Sequence, residues 1–413
     1  MIPLQSMQRT VLSAVESLPV ERIGLREIHG LVLAEDVVAG SDVPPFANSA
    51  MDGFAVRGAD VAKVPTELRV IEEVAAGSVP SQEVEAGTAT KIMTGAPMPA
   101  GADTVVKVED TVTAEQARVV INVATAPGTS VREAGGDTRA GSLVLRAGTR
   151  LTPLHVGVLS AVGEGWPVVY RRPVVALMST GDEVVPPEKT TLGPGQIRDA
   201  NRLPLRGLLE ELGAVPVDYG IVPDDARAMQ QVLNHAAAAC DVVISSGGVS
   251  MGDYDVVKQV FAGTGNVDFY RVAMQPAKPL GFGEVAGKPF FGLPGNPVSV
   301  VVAYEQFVRP ALLAMMGSDV VFRPRVPGVW EEPVFTSPEK TVFLRVVTGC
   351  RADGPWGVRL SGGQSSNVVS ALAAADAFAV VPVGVAQMAA GEVVELEQFR
   401  WPETRTISEG TDV

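Results

Sequence analysis

Between residues 171 and 317 the chain alternates short, continuously apolar runs with longer amphipathic stretches, and few folds accommodate that alternation. Val174-Val175-Ala176-Leu177-Met178 contains no polar residue, so both faces of the strand it predicts must be covered. Residues 203–212 read as a helix, 215–222 as a strand, 225–239 as a helix and 241–245 as another strand. Phe290-Phe291-Gly292-Leu293 and a long helix from Asn296 complete the series. The expectation is a parallel sheet with helices on both faces, and such sheets bind ligands beyond the carboxyl ends of their strands.

At 413 residues the chain exceeds one compact core, so further domains must flank this one. Leu4, Met7, Val11, Leu12, Val15 and Leu18 recur at helical spacing and predict a first helix ending near Pro19. Residues 31 to about 43 look strand-like until Pro44-Pro45 interrupts them. From 46 to 138, runs such as Arg69-Val70-Ile71 and Val119-Val120-Ile121 alternate with Gly and Pro clusters, as in a small β-domain. A helix is predicted from Thr152 as N-cap and Pro153 as first residue, stopping near Gly163. Runs at 342–347, 377–383 and 392–396 predict a last small β-domain. The expected organisation is a split elongated domain (1–45 and 139–170), a β-rich domain (46–138), an α/β domain (171–317) and a C-terminal β-domain (318–413).

Charge and composition exclude several classes. A net charge of −14 with no offsetting basic stripe argues against nucleic acid. No apolar run approaches the roughly 20 residues of a membrane span, and the first fifteen residues lack a secretory pattern. A soluble, cytoplasmic protein is expected. Cys240 and Cys350 are not clustered, and His29, His155 and His235 are scattered, so neither a zinc site nor a disulfide framework is expected. Any catalytic metal must then be a hard ion on oxygen ligands.

Four segments follow the strands of the α/β region and carry its chemistry. Ser179-Thr180-Gly181-Asp182-Glu183 is an acidic glycine turn, with Glu183 the better candidate for Mg²⁺ or a ligand hydroxyl. Asp224 and Asp225 stand at a helix start, where one can cap the helix while the other faces a ligand. The stretch 245–255 places Ser246, Gly247, Gly248 and Ser250 where a phosphate can approach the backbone closely, with Asp255 an oxygen donor for Mg²⁺. Pro294, Gly295, Asn296 and Pro297 form a rigid loop before a helix whose N-terminal N–H groups can face an anion. Beside it Lys278 offers a cation to a phosphate or to another oxyanion.

Together these residues resemble the molybdopterin molybdenumtransferase family, which includes the C-terminal part of the eukaryotic scaffold protein gephyrin. The most specific pieces are Pro44-Pro45-Phe46, Asn48-Ser49-Ala50-Met51-Asp52-Gly53-Phe54, Lys91-Ile92-Met93-Thr94-Gly95-Ala96-Pro97, and the segments 179–183, 245–255 and 293–299. The resemblance implies a homodimer of four-domain protomers. It implies a cleft between the α/β domain of one subunit and the β-rich domain of the other, to which Asp52, Thr94 and Asp137 contribute. It also implies functional positions at Glu183, Asp224, Asp255, Lys278, Pro294 and Pro297, with Arg345 and Ser366 influencing activity from the last domain. The activity it implies is Mg²⁺-dependent insertion of molybdate into adenylylated molybdopterin with release of AMP. A molybdopterin adenylyltransferase upstream and cofactor-using enzymes downstream are then natural partners. Ala47 and Gln275 depart from the family pattern, where polar or charged residues are common, and loosen the polar inventory around the site.

Two rival readings remain at this level. A gephyrin-like scaffold would bind a protein peptide, but a pure scaffold has no reason to keep Asp52, Glu183, Asp224 and Asp255 together. A generic nucleotide-binding α/β enzyme leaves residues 46–138 unexplained.

Overall fold

The computed structural model describes residues 1–248, 260–261, 266–351 and 354–400. The chain divides into two compact units, one of residues Met1–Glu21, Gly30–Val32 and Tyr170 onward, the other of Arg22–His29 and Leu33–Val169.

The larger unit contains the expected α/β sheet. Its six strands run in the order Val215–Val222, Val174–Thr180, Val242–Ser246, Lys288–Leu293, Pro279–Val285, Val267–Arg271. The first four are mutually parallel, Pro279–Val285 runs antiparallel to them, and Val267–Arg271 runs antiparallel to Pro279–Val285. Alternation along the strand explains the unbroken apolar run: Val175 and Leu177 enter one core, Ala176 and Met178 the other. The first core holds Leu205, Leu209 and Leu212 of the Arg202–Leu212 helix, together with Met7 and Val11 of the Leu4–Ser13 helix. The second holds Met229, Leu233, Ala236 and Ala237 of the Ala226–Ala239 helix, and Cys240 packs there as a small apolar residue. Each large apolar side chain so buried contributes about 1.5–3 kcal/mol over its exposed state.

From the Val174–Thr180 strand the chain moves outward to Val215–Val222, then crosses back to Val242–Ser246 on the other side. The loops that follow Val174–Thr180 and Val242–Ser246 therefore part in opposite directions. The gap between these strand ends is the sheet's topological switch point.

After the sheet, residues 297–315 form one helical run, Pro297–Ala303 and Arg309–Met315 joined by a π-turn at Tyr304–Val308. Among the described residues it is the one helix long and apolar enough to cross a membrane, and 83% of its most apolar window is buried in protein. The larger unit ends in a second β-layer. Strands Thr341–Arg351, Gly354–Leu360, Arg325–Trp330, Val393–Gln398 and Ala377–Val381 pair in that order, and the last pairs back to the first. The ring encloses Trp330, Leu344, Val358 and Leu396.

The smaller unit has its own six-stranded sheet, in the order Thr104–Lys107, Gly53–Val56, Thr88–Ile92, Thr66–Val74, Arg118–Ile121, Thr111–Ala114. Phe54, Leu68, Val106 and Ile121 fill its core. Its Pro153–Ala161 helix starts where the sequence predicts, with the Thr152 N–H donating to His155 Nδ1 at 3.0 Å. One expectation fails here. Residues 31–43 are not a continuous strand: only Val37–Val38 pairs regularly, although Leu31, Val32 and Leu33 are fully buried. They fill space through isolated bridges and turns, so apolarity alone misread them.

Candidate functional site

A cavity of about 390 Å³ opens at the switch point. Its wall brings together Thr180, Gly181 and Glu183 after one strand, Asp224 after a second, Ser246, Gly247 and Gly248 after a third, and Gly295, Asn296 and Pro297 after a fourth. Segments more than a hundred residues apart in sequence meet because parallel strands end on one edge.

Local geometry fixes which residues can occupy these positions. Gly181 has φ +129°, and a Cβ there would lie 2.6 Å from Glu183 Oε2. Gly247 has φ +94°, and a Cβ would meet Thr180 Oγ1 at 2.8 Å. At Gly247 a side chain meets the Thr180 backbone carbonyl as well as its hydroxyl, while at Gly181 the Glu183 carboxylate could move aside and the positive φ is what favours glycine. The Gly247 N–H donates to the Leu293 carbonyl at 3.0 Å, and the Val298 N–H donates to the Ser366 carbonyl at 3.1 Å. Two of the backbone donors expected to face an anion are thus already engaged.

The two adjacent aspartates take separate roles. Asp225 caps the Ala226–Ala239 helix, its carboxylate accepting from the Ala228 N–H at 2.7 Å. Asp224 turns to the cavity, exchanging backbone hydrogen bonds with Asp182: Asp182 N–H to Asp224 Oδ2 at 3.3 Å, and Asp224 N–H to Asp182 Oδ1 at 3.1 Å. Desolvation, with further repulsion from Asp182 and Glu183, raises the Asp224 carboxyl above the usual range against the hydrogen bond from Asp182. This edge of the cavity carries concentrated negative charge.

Other sequence candidates lie off the cavity wall. Lys278 is half-buried just before the Pro279–Val285 strand, and its carbonyl accepts from the Val272 N–H at 2.8 Å. Pro294 is buried behind Gly295. Arg345 is 1% exposed, and its guanidinium donates to the Gly363 carbonyl at 2.8 Å and the Ser365 carbonyl at 3.1 Å. It braces the loop that carries Ser366 and brings Asn367 to the cavity wall. Arg345 also lines a second cavity of about 560 Å³ with Gln275, Pro276 and Gln364. Ser250 and Asp255 lie outside the described residues.

In the smaller unit, Asp52 Oδ1 accepts from both the backbone N–H and the hydroxyl of Thr94, each at 2.7 Å. These bonds, the backbone one first, hold the exposed Asp52 carboxyl below the usual range. Asp137 is exposed, with its N–H donating to the Val43 carbonyl at 3.0 Å.

Arg198, Asp199 and Asn201 are among the wall residues that were not legible as site residues. Arg198 brings a guanidinium, tied to the Lys189 and Thr190 carbonyls. Asp199 accepts from the N–H groups of Asn201 and Arg202. The Asn201 side-chain amide donates to Ser246 Oγ at 2.8 Å and to the Gly295 carbonyl at 2.7 Å. The sequence signal was an Asp and an Asn just before a helix, which reads as ordinary capping.

Comparison with known proteins bears directly on this arrangement. The MoeA N-terminal region (domain I and II) matches residues 2–163, the probable molybdopterin binding domain 176–314, and the MoeA C-terminal region (domain IV) 328–399. A molybdopterin molybdenumtransferase 2 of Mycobacterium tuberculosis is 37% identical over 404 residues, covering 95% of this chain and 98% of its own. The chain belongs to the molybdopterin molybdenumtransferase family. A Nostoc molybdopterin molybdenumtransferase is 38% identical across 92% of this chain and 88% of its own. The crystal structure of a molybdopterin biosynthesis moeA protein from Pyrococcus horikoshii superposes with a TM-score of 0.81 at 30% identity, covering 97% of this chain and all of that one. As a member of the molybdopterin molybdenumtransferase family, the chain is a transferase of molybdenum cofactor biosynthesis. Its switch-point cavity lies within the segment that matches the probable molybdopterin binding domain, apart from Asn367.

Proposed function

We propose that this chain inserts molybdate into adenylylated molybdopterin, releasing AMP, with Mg²⁺ as cofactor. The carrying observation is the switch-point cavity, lined by the carboxylates Glu183, Asp224 and Asp199, the last paired with Arg202, together with a serine–glycine turn and a proline-rigid loop.

Mg²⁺ fits this donor set. It typically takes one or two protein carboxylates and completes its shell with waters and substrate phosphates. Among the described residues no group of three or more acidic, His or Cys side chains forms a closed cage. Glu183 and Asp224 on the cavity wall would hold the ion, and Asp255, seven residues beyond Gly248 in sequence, is a further oxygen donor for it. When bound, the ion supplies neutralisation of pyrophosphate charge and stabilises the departing AMP. Ser246 donates to a phosphate oxygen, while Gly247 and Gly248 let the backbone come close. Lys278, half-buried off this cavity's wall, would support the molybdate oxyanion; as the two dithiolene sulfurs of the pterin bond to molybdenum, one oxo ligand leaves as water with the two thiol protons. Those sulfurs belong to the substrate, so buried Cys240 needs no catalytic part.

The working form is proposed to be a cytoplasmic homodimer. One supporting feature is the Pro153–Ala161 helix, which buries only Leu159 and leaves Leu154 86% exposed. An apolar helix with so little of its own core suits a subunit contact.

The test is AMP release from adenylylated molybdopterin, followed by chromatography. Release should depend on both Mg²⁺ and molybdate in the wild-type protein. Release that ignores molybdate would contradict coupling of cleavage to insertion.

A further inference from the structure

Gly295 offers only a carbonyl acceptor to Asn201, so the group facing it must be Nδ2, which fixes the amide orientation. The same Nδ2 donates to Ser246 Oγ. Two consequences follow. A lone pair of the Ser246 oxygen is occupied, and its proton has no protein acceptor among the described residues. Ser246 stands on the cavity wall, so that proton is available to a ligand acceptor. Asn201 Oδ1 is buried and unpartnered, as are the Ser179 and Thr180 hydroxyls on the same wall, which are 2% and 5% exposed. An unmet group costs free energy at each position, and a ligand can supply the missing partners.

Asn201 is itself held from behind. Its N–H donates to Asp199 Oδ1 at 3.0 Å, and Arg202 ion-pairs with both Asp199 and Asp218. Asp218 lies on the Val215–Val222 strand, so the start of the helix is anchored to the sheet. The pull on the two turns is therefore rigid.

We propose that Asn201 is a positioning residue that latches the Ser246–Gly248 turn to Gly295 and keeps the Ser246 hydroxyl as a donor to a phosphate oxygen of the ligand. The inference rests on the reading that the cavity takes a phosphate-bearing substrate. Asn201→Asp is the sharpest variant. It is isosteric and suits a helix N-cap, so the fold is retained. Its carboxylate accepts the Ser246 proton, faces the Gly295 carbonyl and sets a negative charge beside the phosphate.

The experiment titrates AMP and, separately, inorganic pyrophosphate into the protein with MgCl₂, by calorimetry. Asn201→Ala should weaken binding roughly tenfold, and Asn201→Asp more than that, as expected for loss of a hydrogen bond to a charged group. The Asn201→Asp deficit relative to wild type should shrink as pH falls and the new carboxyl protonates. Ser246→Ala should match Asn201→Ala, and the double variant should lose no more than either alone. Hydrogen exchange on the ligand-free proteins should show faster exchange at Gly247 and Gly295 in Asn201→Ala. Variants that bind pyrophosphate like wild type, or an Asn201→Asp protein no weaker than Asn201→Ala, overturn the inference. Unchanged exchange overturns the latch. A wild-type protein that binds pyrophosphate but not AMP contradicts the adenylylated-substrate reading instead, and the Asn201 comparison is still read on pyrophosphate.

Discussion

Asp224 and Asp225 are chemically identical neighbours whose surroundings give them different work. Asp225 satisfies an N–H of its own helix, and loss of such a cap costs about 1 kcal/mol. Asp225→Ala should therefore lower the melting temperature by a few degrees and leave AMP release nearly intact. Asp224→Asn should do the reverse, abolishing most of the Mg²⁺ dependence while raising the melting temperature slightly at neutral pH. The sign follows from linkage. The folded carboxyl of Asp224 is raised above its ordinary value of 3.8, so its ionisation in the fold opposes stability. That opposition is absent below the unfolded value and fully developed above the raised one. Asp52 behaves oppositely, because the Thr94 bonds lower it. Its contribution is present above the unfolded value and is lost as pH falls through the folded one. Thermal melts of the aspartate variants across pH 3–8 check these signs. The sequence left the roles of Asp224 and Asp225 open, since any Asp before a helix can cap it. Only the position of Asp224 beside Asp182 and Glu183 separates them.

Strands and helices were the legible part. Unbroken apolar runs such as 174–178 can be buried only inside a covered sheet, and acidic or glycine turns mark where each strand ends. What the pattern could not carry was the meeting of distant turns. Asn201 is 45 residues from Ser246 and 94 from Gly295, and no local periodicity encodes that contact. Lys278 shows the converse limit: it precedes the Pro294–Pro297 loop by sixteen residues, yet it does not line this cavity. The junction of the Val174–Thr180 and Val242–Ser246 strands is also where the packing is least forgiving. Gly247→Ala puts a Cβ 2.8 Å from Thr180 Oγ1 and 2.9 Å from the Thr180 carbonyl at φ +94°. A loss of about 1–3 kcal/mol is expected from strain of this kind. Denaturant unfolding measures it, and AMP release should fall at least tenfold because Gly247 shapes the cavity as well. A variant as stable and as active as wild type would show that the turn tolerates a side chain.

At the scale of the whole molecule, the proposed function requires an acidic chain of charge −14 to accept an anionic substrate. Long-range repulsion is screened within about 10 Å at ordinary ionic strength, so nearby groups decide. On the proposed reading, Arg198, the Ser246 hydroxyl and a cation that Glu183 and Asp224 would hold reverse the sign locally. The most direct test is a crystal structure of the protein with AMP and Mn²⁺, an anomalous scatterer that replaces Mg²⁺. The metal should lie about 2.0–2.2 Å from carboxylate oxygens of Glu183 and Asp224, with the AMP phosphate against Ser246 and Gly248. Metal and nucleotide bound together at any other place, with the switch-point cavity vacant, would contradict the account.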